Sequence, residues 1–176
     1  YVPMTLPAGL SGVVAIAAGS AHGLALKSDG TLVAWGDNSY RQSMVPPGPS
    51  GVTAVAAGGV HDLALKSDGT VLAWGNDIAG QSTVPGSLAG VIAIATTGSD
   101  EGPGGINGYN LVLKNDGTVV AWGDNVFGQN GPTDIPPGLS GVIAIAAGGY
   151  HSLALKSDST VIAWGNNYSG GTNVPA

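Results

Sequence analysis

The sequence predicts an all-β chain of propeller blades, and three observations carry that prediction. One block occurs four times, the composition favours turns over helices, and each block reads as two strands around a glycine turn. The block at residues 150–167, YHSLALKSDSTVIAWGNN, lies over AHGLALKSDGTLVAWGDN from Ala21, VHDLALKSDGTVLAWGND from Val60 and GYNLVLKNDGTVVAWGDN from Gly108. Trp35, Trp74, Trp122 and Trp164 mark the repeat at spacings of 39, 48 and 42 residues. Self-similarity at such a period signals a solenoid or a propeller.

Each unit opens with a short β-branched and alanine-rich run closed by glycine: GVVAIAAG from Gly12, GVTAVAAG from Gly51, GVIAIATTG from Gly90 and GVIAIAAG from Gly141. Such runs are expected to be strands buried on both faces where space is tight. LALK follows, then a turn such as SDG or NDG, then TVVAW, which together predict a hairpin with glycine supplying the positive φ. A fourth, weaker strand is expected through QSMV, QSTV or TNV towards a proline, a residue tolerated at a strand end. Four short strands per repeat of about 40 residues make a propeller blade. The repeats divide the single domain, 1–176, near 1–45, 46–84, 85–135 and 136–176.

Composition narrows the function. Charged residues are 9% of the 176, and 11 acids against 5 bases give a net charge of −6, so the basic surface that nucleic acid or anionic lipid requires is missing. No apolar run reaches the length of a membrane span, so no membrane insertion is expected. The absence of cysteine removes disulfides and sulfur ligands. The chain starts at Tyr1, which predicts a processed mature protein or an excised piece.

The pattern AxAAGxxHxLALKxDGTVxAWGxNxxGQ resembles the repeat of the regulator-of-chromosome-condensation family, RCC1-like propellers of bacterial type, over nearly the whole chain. The resemblance implies a β-propeller that usually closes with seven blades. It does not imply one function, because the family includes nucleotide-exchange factors, a secreted β-lactamase inhibitor and many bacterial repeat proteins.

The chemistry-bearing side chains fall on repeat positions. His22, His61 and His151 share one position, with Tyr109 in the third repeat, and equivalent positions on successive blades do not converge as ligands or a catalytic centre must. They are expected to bond backbone at blade corners, and the four tryptophans to fill the space between blades. Asp29, Asp68, Asp116 and Asp158 are expected to hold turns, each with a nearby lysine at Lys27, Lys66, Lys114 or Lys156. No Ser/His/Asp set, P-loop or HExxH motif is present, so neither an enzyme nor a cofactor is expected.

The third repeat carries an insertion at 99–106, SDEGPGGI, in which Asp100 and Glu101 are weak candidates for a cation site. Tyr40, Arg41, Phe127 and Tyr168 follow the WGxN motifs and form a candidate binding rim. Asn167-Tyr168-Ser169 is a formal glycosylation sequon. Four blades leave two bare ends, and LPAGLSG at the start matches VPPGPSG and IPPGLSG later, so one linker type stands at both termini. The expected function is therefore a non-enzymatic extracellular or cell-surface structural protein that self-associates into a ring or filament. Two alternatives stand beside it: a propeller module that binds another protein through its loop rims, and a truncated piece of a seven-bladed protein.

Overall fold

The computed structural model describes residues 5–98, 108–125 and 134–175. Among these residues there are twelve strands and no helix, so no helix is long and apolar enough to cross a membrane. The first blade is β1 (Val13–Ala18), β2 (His22–Lys27) and β3 (Leu32–Gly36). The second is β4 (Val52–Ala57), β5 (His61–Lys66) and β6 (Val71–Gly75). The third is β7 (Val91–Gly98), β8 (Gly108–Lys114) and β9 (Val119–Gly123), and the fourth is β10 (Val142–Ala147), β11 (His151–Lys156) and β12 (Val161–Gly165). Each blade is an antiparallel three-stranded sheet in sequence order.

The hairpin between the second and third strands is where the predicted glycine is needed. Gly30 sits at φ 80° and donates its amide to the Lys27 carbonyl, and Gly69 and Gly117 repeat the arrangement at φ 78° and 79°. Asp29 accepts from both the amide and the hydroxyl of Thr31, at 3.0 and 2.6 Å, which stiffens the turn. In the fourth blade Ser159 occupies the glycine position at φ 68°.

Two expectations need correction. The first strand is not buried on both faces: the middle strand is. Every residue from His22 to Leu26 and from His61 to Leu65 is buried: each strand has a neighbour at both edges, the second lies between two blades, and the first is covered by blade 2 on one face while its other face carries only Gly23, under the Trp35 ring, and the small Ala25. The first strand is an edge, and it carries a bulge between Val13 and Ala15, repeated in all four blades. The bulged residue points outward, leaving Val14, Ile92 and Ile143 exposed.

The fourth strand does not form. Residues 42–45, 81–84 and 172–174 are turn and irregular backbone, so among the described residues each blade shows three strands rather than four. Polar side chains compete successfully for the backbone here. The Ser43 hydroxyl donates to the Asp37 carbonyl at 2.7 Å, and Gln42 Oε1 accepts from the Tyr40 amide at 2.8 Å. Ser82 and Gln81 repeat both bonds in the next loop.

The core is not one mass but three seams. Leu24 and Leu26 of blade 1 pack with Val52, Ala64 and Trp74 of blade 2. Leu63 and Leu65 pack with Val91, Val112 and Trp122. Tyr109, Leu111 and Leu113 pack with Val142, Ala154 and Trp164. Each blade thus offers a leucine face forwards and a tryptophan face backwards.

Candidate functional site

The polar residues of the repeat are used at these seams. His22 Nε2 lies 2.9 Å from Asp62 Oδ1 in the next blade, with both side chains fully buried. His61 Nε2 lies 2.9 Å from Asn110 Oδ1 and 2.6 Å from the Thr96 hydroxyl. Tyr109, at the third position of the series, places its hydroxyl 2.6 Å from the His151 carbonyl and accepts from Ser152 at 3.1 Å. The two histidines therefore bond side chains across a seam rather than backbone at a corner, as the sequence suggested. Burial lowers His61 to a pKa of about 4, so its ring is neutral, and burial raises the Tyr109 phenol to about 12.

Glycine three residues before each histidine makes room for the ring. A Cβ at Gly58 would lie 2.6 Å from His61 Cε1 and 3.0 Å from the Thr97 carbonyl. The tryptophans close the seams from the other side. Trp74 donates to the Gln42 carbonyl at 2.9 Å and Trp122 to the Gln81 carbonyl at 3.1 Å.

Trp35 behaves differently. It has no preceding blade among the described residues, and a Cβ at Gly23 would fall 2.4 Å from its ring. Its indole therefore lies over Gly23, in the slot that Asp62, Asn110 and Ser152 fill in later blades.

Sequence reasoning missed this slot. The residue after each histidine or Tyr109 reads Gly23, Asp62, Asn110 and Ser152, a varying position inside a nearly invariant block, and that variation was the available signal.

The lysine and aspartate pairs stay on the surface, with Nζ to Oδ2 distances of 3.0 to 3.3 Å. The carboxylates of Asp29, Asp68 and Asp116 are held near a pKa of 2, first by the threonine hydroxyl beside each. Such pairs stiffen turns and carry no convergent chemistry. No group of three or more metal-ligating side chains occurs among the described residues. Asp100, Glu101 and the rest of the 99–106 insertion, together with Phe127, lie outside those residues. Of the candidate rim, Tyr40 is half-buried and Arg41 exposed, while Tyr168 is 97% exposed. Ile78, at the loop position matching Tyr168, is 73% exposed.

Among the described residues the two end faces carry apolar side chains that no blade covers. Ile16 on blade 1 is 76% exposed, and Val13 is 37% exposed where its counterparts Val52, Val91 and Val142 are 4 to 6%. On blade 4, Leu153 and Leu155 are only half-buried, whereas the matching Leu63, Leu65, Leu111 and Leu113 are at most 5% exposed.

The sequence pattern of the regulator of chromosome condensation (RCC1) repeat matches residues 13–42, 52–81, 107–129 and 142–170, more than half of the chain. The chain belongs to the RCC1 repeat family. Solved structures agree on the fold, yeast RCC1 (Prp20) among them. Prp20p of Saccharomyces cerevisiae, described with its binding to Gsp1p and histones, is similar at a TM-score of 0.73 and 19% identity over 93% of this chain and 48% of that one. The ectodomain of the receptor kinase CR4 of Physcomitrella patens is similar at 0.68 and 21% identity, over 93% of this chain and 43% of that one. The Arabidopsis thaliana ACR4 ectodomain gives 0.65 and 23% identity over 91% of this chain and 52% of that one. The chain thus spans about half the length of these solved structures. No curated protein sequence matches it.

Proposed function

We propose that this chain is a non-enzymatic protein-binding scaffold, placed outside the cell or on its surface, that associates with copies of itself through its two end faces. The observation that supports this reading is the unmatched exposure of Leu153 and Leu155 at one end and Ile16 and Val13 at the other. The first face is the kind that three internal seams cover, and the second is the kind that covers it. Continuity with those seams makes a second copy the natural occupant. Covering a few hundred Å2 of apolar surface contributes roughly 5 to 10 kcal/mol. Association costs about 4 to 15 kcal/mol in lost freedom, so the contact is reversible and concentration-dependent.

The contact is also weaker than an internal seam. His151 would meet Gly23, which offers no side chain, so the polar bond of the other seams is absent. Trp35 can still donate to a backbone carbonyl, that of Gly171, which stands where Gln42 and Gln81 stand.

Light scattering across a concentration series tests the reading. The expected result is a species of at least two chains that Leu155→Lys and Ile16→Lys each return to monomer. A compact monomer at every concentration would remove self-association.

The exposed Tyr168 and Ile78 favour a second reading, a loop rim that grips another protein; yeast Prp20p, similar in fold, has binding properties to Gsp1p and histones and has been solved bound to Kap60. Tyr168→Ala with Ile78→Ser would then abolish a heterologous complex and leave the mass of the free protein unchanged.

A further inference from the structure

The first seam contains a buried acid with half of its hydrogen bonding unaccounted for. Asp62 Oδ1 faces His22, but Oδ2 is buried without a partner, as is His22 Nδ1. The second seam supplies the template for reading it. There Asn110 holds the same position as Asp62, each paired across its sheet with the tryptophan of its own blade, Trp122 or Trp74. The Asn110 amide does two things. Its oxygen accepts a hydrogen bond from the His61 ring, and its Nδ2 donates to the Gln81 carbonyl at 2.8 Å. That carbonyl also accepts from Trp122, as the Gln42 carbonyl accepts from Trp74. The Gln42 carbonyl thus stands in the first seam where the Gln81 carbonyl stands in the second.

An ionised Asp62 cannot reproduce this arrangement, because it has no proton to give and would set an anionic oxygen against a carbonyl. A protonated His22 is equally poor, since its second N–H would be buried without an acceptor. The geometry points to Asp62 as a neutral carboxylic acid, with Oδ1 accepting from His22 Nε2–H and Oδ2–H donating to the Gln42 carbonyl. The first seam is therefore a protonation site, tight while the proton is held and loosened when alkali removes it.

Burial raises the Asp62 pKa, in keeping with that assignment, and His22 is the titratable group facing it across the seam. Behind Gln42 lies Asp37, hydrogen-bonded to Gln42 Nε2 and held in its ionised form first by the Ser39 hydroxyl. His61, next in the chain, turns to the following seam, where Asp77 acts on it. The sign follows from the raised value: the stability contributed by the proton is complete at low pH and is lost as pH rises through the folded-state pKa.

Thermal unfolding of wild type and Asp62→Asn from about pH 5 to about pH 8 tests the site, read as the difference between the two so that His61 cancels. The expected result is that Asp62→Asn melts at least as high as wild type at the alkaline end, and that its advantage shrinks towards acid. Asn110→Asp should create the mirror case, melting lower than wild type in alkali and recovering in acid. A lower melting point for Asp62→Asn throughout, with wild type losing its advantage on acidification, would mean an ion pair and overturn the assignment. Infrared spectra decide even if a variant fails to fold. A protonated carboxyl stretch in the wild-type protein at neutral pH is expected, and its absence overturns the proposal.

Discussion

At the residue scale, positive φ separates positions that the repeat copies well from two that it does not. Ser159 takes φ 68° where Gly30, Gly69 and Gly117 stand, and Arg41 takes φ 65° where Gly80 and Gly170 stand. A side chain in this region costs about 1 to 2 kcal/mol. Ser159→Gly and Arg41→Gly should each raise stability by about 1 kcal/mol in urea melts, with the slope unchanged. His61 gives the second prediction. Its folded pKa of about 4 lies below the ordinary 6.5, so the stability it contributes is present above 6.5 and is lost as pH falls towards 4, amounting to about 3 kcal/mol. Replacing His61 with glutamine should remove that acid sensitivity, measured as the melting point between about pH 4 and about pH 7.

At the element scale, the alanines of the first strand set how closely blades approach. Ala54 and Ala56 pack against the second seam, while Val55, on the opposite face, packs against the first. First strands of successive blades contact one another. Ala56→Val should therefore overfill the seam and cost about 1 to 3 kcal/mol in denaturant melts, although valine suits a strand better.

The hairpins were legible because Asp-Gly turns and alternation act locally, and the fourfold period made the blade plain. The fourth strand was misread because QSMV has strand-like residues, yet the Asn38 side chain accepts from the Ser43 amide and the Ser43 hydroxyl donates to the Asp37 carbonyl, which holds the segment as a loop. The burial of the first strand was misread because apolar composition does not reveal that a strand lies at an edge. The slot at Asp62, Asn110 and Ser152 was marked in the sequence only by its variation within the block, and its partners, 40 or more residues away, became visible only in the fold.

At the scale of the whole molecule, stability should decline towards the ends of the row. Leu111→Ala, inside a seam, should cost about 2 to 5 kcal/mol, and Leu153→Ala, at the matching position on the end blade, distinctly less in dilute solution. Raising the protein concentration should narrow the gap if a second copy covers blade 4, as thermal melts over a dilution series would reveal. The three seams also differ in a way that near-identical repeats require. The long Tyr109 meets the short Ser152, whereas the shorter His22 and His61 meet the longer Asp62 and Asn110. Reach on one side is matched by size on the other. A blade that skipped its neighbour would break the match: His22 would fall short of Ser152, and Tyr109 would collide with Asp62. Leucine faces alone are interchangeable and invite swapping between chains, so this length code works as proofreading against misassembly.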